Sequence, residues 1–133
     1  MKASIQFRRG HLLLPPVRIE HRRSSSPMMA IDTGARITLI TPRVAEEVGL
    51  DWAAVGPRVQ LVGVTGVTNA VEVQLKRVFL MGLGVDNVRA ICYPLPPRLG
   101  LDGILGLNFL QYFNLDINHD TETVTVERSA HSA

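Results

Sequence analysis

Short apolar runs rich in Val, Ile and Thr recur along the chain, separated by polar stretches that carry Gly, Pro and Asn. β-branched residues suit strands, and the intervening residues suit turns, so the pattern predicts a mostly β domain. Strands are expected over Ser4–Arg8, Leu12–His21, Met28–Asp32, Ile37–Ile40, Val59–Val62, Val67–Met81, Asn87–Tyr93, Leu115–Asn118 and Thr123–Glu127. Arg22–Pro27 reads as a polar turn. Two short helices interrupt the strands. Thr41 can cap the first, Pro42 fits its first position, and Gly49 can end it. Val44, Ala45 and Val48 then share its inner face. The second helix is expected from near Leu107 to Asn114, with Leu107, Leu110 and Phe113 packing inward. Ser129–Ala133 reads as a frayed tail.

The chain has 133 residues, 46% hydrophobic and 20% charged. That is one folded domain, residues 1–133, large enough for a single core. A net charge of +2 gives no footing for nucleic acid. Lys2, Arg8, Arg9, Arg18, Arg22 and Arg23 concentrate positive charge near the start, where a solvated edge or loop is the plainer reading. Residues 1–10 are expected to form an arm or an interface strand. Cys92 is the only cysteine, which excludes an intrachain disulfide and suggests a small buried hydrophobe. His11, His21, His119 and His131 are scattered without metal-ligand spacing, so no metal or cofactor is expected. Leu12–Leu14 is too short for a signal or membrane segment and runs into Pro15-Pro16, implying a cytoplasmic chain without membrane contact.

Several chemistries lack their motifs. There is no Gly-x-Ser-x-Gly for a serine nucleophile and no phosphate-binding P-loop. Gly82-Leu83-Gly84 would need a third glycine where Asn87 stands. The informative residue is Asp32, which ends the apolar run Met28-Met29-Ala30-Ile31 and precedes Thr33-Gly34-Ala35. An isolated carboxylate is costly to bury, and the glycine after it lets backbone amides approach. By itself the triplet also reads as a strand end, a turn or a cap. Further on, two β-like runs flank Gly63-Val64-Thr65-Gly66, a hairpin with a glycine-rich tip that could cover a ligand or simply lie on the surface.

Three features taken together resemble the retropepsin-like aspartic peptidases. Met28–Ile40 has the order apolar strand, Asp-Thr-Gly-Ala, apolar strand. Ile104-Leu105-Gly106 matches the later motif of two apolar residues and a glycine that opens a short helix. The glycine-rich hairpin lies between them, where that family places its flap. The resemblance spans roughly residues 12–127 and looks closest to single-domain bacterial members. It implies a closed β-barrel with one or two short helices. Asp32 would be the catalytic acid and Thr33 would hydrogen-bond across a two-fold axis. Gly34 would direct its N–H toward the carboxylate. Ala35, Ile104, Leu105 and Gly106 would support the loop, and Gly63, Val64, Thr65 and Gly66 would form the flap over substrate. Two positions depart from the family: Arg36 and Leu107 replace a pair that can form an ion pair beneath the loop.

The implied chemistry needs two carboxylates, one charged to activate water and one protonated to polarise a peptide carbonyl. Two charged carboxylates about 3 Å apart repel by about 5 to 6 kcal/mol at an effective dielectric of about 20. That is worth about 4 pKa units, so the pair keeps one proton over a wide pH range. The chain holds one Asp-Thr-Gly. Asp120-Thr121 is followed by Glu122, and Asp102-Gly103 reads as a turn or cap. A homodimer would bring Asp32 to the axis twice. The expected substrate is an extended peptide or protein segment. The rival is a binding or dimerisation module that keeps the fold without cleaving.

Overall fold

A computed structural model of the chain describes residues 2–52, 58–63 and 66–130. Its strands are β1 (Lys2–Gln6), β2 (Val17–Glu20), β3 (Ser24–Ser25), β4 (Met29–Ile31) and β5 (Thr38–Ile40). Helix α1 (Pro42–Glu47) follows, then β6 (Arg58–Gly63), β7 (Gly66–Leu80) and β8 (Leu83–Cys92). A single 3-10 turn at Pro97–Leu99 leads to β9 (Gly103–Leu105), α2 (Leu107–Leu110), β10 (Phe113–Asn118) and β11 (Thr123–Arg128). The fold is mostly β with two short helices, as the strand pattern predicts.

Eight strands form one curled sheet in the order β3-β2-β7-β8-β5-β9-β4, with β6 paired to β7 outside that path. The long β7–β8 hairpin is its spine. Met81 (φ 51°) and Gly82 (φ 86°) both occupy the left-handed region between paired Leu80 and Leu83. That is the two-residue geometry that matches strand twist. β8 therefore begins at Leu83, earlier than the sequence suggests, because a methionine at positive φ is no recognisable turn signal. Along β7 the buried positions run Val71, Val73, Leu75 and then Val78, Leu80; along β8 they run Leu83, Val85 and then Val88, Ala90. Both strands change face at the same level, where Arg77 pairs with Asp86 and Asn87 takes φ 56°. The hairpin can thus keep its inner side apolar while it bends around the core.

Leu12–Pro16 does not join the sheet, since neither proline can donate to a ladder, and β2 starts only at Val17. The polar stretch after it contains the two-residue strand β3, paired with Ile19 and Glu20. Helix α1 has Thr41 in the extended conformation of an N-cap, but the Thr41 hydroxyl makes no capping hydrogen bond. It is instead Arg23 that serves the other end, donating to the Glu46 and Glu47 carbonyls at 2.7 and 3.1 Å. Val44, Ala45 and Val48 are all fully buried, as their spacing predicts. α2 ends at Leu110, short of the expected Asn114, and Phe113 opens β10; Leu110 and Phe113 are buried as expected, but Leu107 is 44% exposed and Phe109 takes its buried place. The helix is one turn long, so its inner face is set by β8 and β5 rather than by its own period.

The two chain ends meet in a second sheet, β1-β11-β10, whose Val124 and Val126 are fully buried. Residues 2–6 are thus an edge strand. The basic residues near it are largely paired on the surface: Lys2 with Glu127, Arg9 with Glu122 and Arg18 with Glu20. Ser129, expected in a frayed tail, is tied by its N–H to the Tyr112 carbonyl at 2.8 Å; residues 131–133 lie outside the described residues. Cys92 is buried, and burial, with Glu46 nearby, pushes its thiol up to about 11. Among the described residues, no helix is long and apolar enough to cross a membrane. Nor does any group of three His, Cys, Asp or Glu side chains there converge as metal ligands do.

Candidate active site

β9 lies between β4 and β5, parallel to the first and antiparallel to the second. The chain leaves β4, turns through residues 32–37 and returns as β5 on the far side of β9. Asp32 stands where that turn begins. Its N–H donates to the Leu105 carbonyl at 3.1 Å, so its backbone is fixed to the end of β9. Its side chain is half-buried, and Oδ1 accepts the Gly34 N–H at 2.9 Å. A Cβ on residue 34 would stand 3.2 Å from that same oxygen, a tight contact that glycine avoids. Among the described residues, no other group donates to the carboxylate. Thr33 and Gly34 are exposed, and Ala35 is half-buried.

The later motif sits directly beneath. Leu105 and Gly106 are buried and Ile104 is half-buried. Leu107 N–H donates to the Ala35 carbonyl at 2.8 Å and Asn108 N–H to the Arg36 carbonyl at 3.0 Å. Gly106 has no room for a side chain: a Cβ would fall 2.5 Å from the Ile37 carbonyl carbon and 2.8 Å from the Thr38 nitrogen. The motif's glycine is therefore a close-approach residue that lets two backbones touch. Arg36 and Leu107 are both exposed, and among the described residues Arg36 forms no ion pair.

Support comes instead from two residues the motif reading overlooked, Thr38 and Asn108. Thr38 is fully buried, and its hydroxyl accepts the Gly106 N–H at 3.1 Å while donating to Asn108 Oδ1 at 2.9 Å. The same Asn108 oxygen accepts the Thr38 N–H at 2.8 Å, and Asn108 Nδ2 donates to the Arg89 carbonyl at 2.7 Å. Every polar atom of this knot has a partner, which is what makes a buried polar cluster stabilising. A signal was present: Thr38 is the single polar residue in Ile37–Ile40, and a buried hydroxyl demands partners.

Asp102 has different surroundings from Asp32. Its Oδ2 accepts the Met28 N–H at 2.9 Å, its own N–H donates to the Met28 carbonyl at 2.8 Å, and Oδ1 accepts from Arg43. Burial pushes the Asp102 carboxyl up. The Arg43 hydrogen bond, the Met28 N–H and the Arg43 charge outweigh it and leave the group below its ordinary value. The hairpin β6–β7 closes with Gly63 opposite Gly66, while Val64 and Thr65 lie outside the described residues.

A half-barrel with one Asp-Thr-Gly loop locked over a Ile-Leu-Gly strand defines a retropepsin-like protein. The aspartyl protease family model matches residues 16–109, and the chain belongs to that family. The crystal structure of a retropepsin-like aspartic protease from Rickettsia conorii superposes with a TM-score of 0.75 over 95% of this chain and 89% of that one, at 17% identity. The likeness at that identity is one of fold. Comparison with curated proteins finds no match.

Proposed function

We propose that this chain is an aspartic endopeptidase, active as a homodimer in which two Asp32 carboxylates share one proton and activate a water molecule. The observation that carries the reading is the Asp32 loop itself. A half-buried carboxylate is held by its backbone and by the Gly34 N–H, with no other donor among the described residues. A carboxylate with that much unused capacity suits proton transfer better than it suits structure.

In the proposed cycle, the charged Asp32 removes a proton from water while the protonated one donates a hydrogen bond to the peptide carbonyl. The hydroxide equivalent adds to the carbonyl carbon while the protonated carboxyl gives its proton to the carbonyl oxygen, which makes a tetrahedral diol. The proton taken from water then passes to the departing nitrogen, the C–N bond breaks, and a diol hydroxyl returns its proton to the pair, restoring the one-proton state. Thr33, exposed beside Asp32, would make the contact across the axis. Substrate would lie extended over the loop, covered by the Gly63–Gly66 hairpin. Ile104, half-buried beside Leu105, and Ala35 would form part of the floor.

The test is cleavage of a peptide library from about pH 3 to 7, the span over which a carboxylate pair titrates. The wild type and Asp32→Asn are compared, with solution mass measured for both. Cleavage by the wild type and loss in a still-dimeric mutant is the expected result. Cleavage that survives the substitution removes Asp32 from the mechanism. A folded dimer that cleaves nothing points to a binding module, and a strict monomer that cleaves excludes the shared pair.

A further inference from the structure

Asp102 sits outside the Asp-Thr-Gly loop, yet it joins three segments around it. Its N–H and carboxylate hold both the carbonyl and the N–H of Met28, the residue that immediately precedes β4. Its carbonyl accepts the Thr41 N–H at 3.1 Å, at the start of α1. Its Oδ1 is paired with Arg43 on α1, which also donates to Glu47 at 2.8 Å. β4 is only three residues long and leads straight into Asp32. A displacement of Met28 therefore has little chain in which to dissipate before it reaches the carboxylate.

We propose that the Asp102–Arg43 pair is a positioning device for Asp32, one that keeps the entry to β4 locked at the acid pH where a carboxylate pair does its chemistry. The proposal rests on reading Asp32 as half of such a pair. Protonated, Asp102 loses its charge-assisted bonds to Met28 and Arg43. The groups that face it settle when this happens. From α1 come Arg43 and, through Arg43, Glu47; from the β3 side come the hydroxyls of Ser24, Ser25 and Ser26, with Ser25 itself bonded to Glu47 at 2.9 Å. Met28 contributes only its backbone. Arg43 is the one cation in this set, and its hydrogen bond and charge, together with the Met28 N–H, oppose the burial that favours the neutral acid. Without it, the Asp102 carboxyl would take up its proton at a higher pH, and the lock would open earlier on acidification.

The experiment compares wild type, Arg43→Met and Arg43→Lys by two readouts. The first uses protein labelled with 15N-methionine. Met28, Met29 and Met81 then supply the backbone amide signals, and the Met28 amide reports on its bond to Asp102 directly. Its titration midpoint is expected to rise by about one pH unit in Arg43→Met and to return toward wild type in Arg43→Lys. The second is the pH profile of cleavage. Arg43→Met should keep kcat within about two-fold of wild type near about pH 6 but lose about ten-fold near about pH 3.5, mainly in kcat rather than KM. Asp102→Asn should abolish the Met28 titration altogether. Superimposable wild-type and Arg43→Met midpoints would overturn the proposal. So would an activity loss equal at every pH, or one that coincides with global unfolding by circular dichroism. If the wild type cleaves nothing, the peptidase reading fails, while the Met28 midpoint still decides whether the pair locks β4.

Discussion

Asp32 and Asp102 are the same residue type, each near a glycine, one just after β4 and the other just before β9 in the same sheet. Their surroundings make them opposites. Asp102 spends both oxygens on protein, one on Met28 N–H and one on Arg43. Asp32 is given one backbone donor, Gly34, and its backbone is fixed by Leu105. Asp102 is tied on both oxygens and braces the structure; Asp32 has one donor on its carboxylate among the described residues, as its proposed role in proton transfer requires. What separates the proposed acid from the bracing one is therefore the number of partners the fold supplies, not the residue or its flanking glycine.

The largest expected effect tests the open carboxylate. Asp32→Asn should lower kcat/KM by about 10³-fold or more, equivalent to at least about 4 kcal/mol of transition-state stabilisation. Its stability in urea should change by less than about 0.5 kcal/mol, because the substitution removes no bridging contact. Next comes the shared foundation. Gly106→Ala must push a methyl into the Ile37 and Thr38 backbones, and a loss of about 3 kcal/mol by urea denaturation is expected. A near-neutral result would mean the two backbones are not in close contact. Thr38→Val keeps the shape but removes the hydroxyl between Gly106 and Asn108, leaving a buried N–H without its acceptor. That should cost about 2 kcal/mol and reduce cleavage as the loop loosens.

The smallest effect belongs to the saturated carboxylate. Asp102→Asn should destabilise by about 1 kcal/mol at neutral pH, since Asn can still accept from Met28 and Arg43 is solvent-exposed. The pH dependence has a definite sign. The native Asp102 carboxyl lies below its ordinary value, so its contribution is fully present above the ordinary carboxylate range and is lost as pH falls through the lowered native value. Urea midpoints for wild type and mutant should therefore differ at neutral pH and converge in strong acid. A gap that widens on acidification would contradict the assignment of Arg43 as its stabilising partner.

Much of this is legible in the chain itself. The β-branched runs marked most of the strands, and Val44, Ala45 and Val48 marked the buried side of α1, because local burial patterns leave a periodic trace. Asp32-Thr33-Gly34 and Ile104-Leu105-Gly106 could be paired as motifs, because the glycines and the acid have few other reasons to stand in that order. The chain itself therefore determined the element types, the carboxylate and its family.

The tertiary structure decided the partners. Thr38 lies 68 residues from Gly106 and 70 from Asn108 in sequence, yet the three form one knot. Met28 and Asp102 are separated by 74 residues and bond at both backbone and side chain. No local pattern records such pairs. They exist because β9 inserts between β4 and β5, and that insertion is paid for by burial across the whole sheet. Leu107 shows the same limit in reverse: helical spacing turned it inward, but a one-turn helix takes its orientation from the strands beneath it. The identity of the open carboxylate was written in the chain; what leaves it open, and what closes the other, was settled by contacts between distant segments.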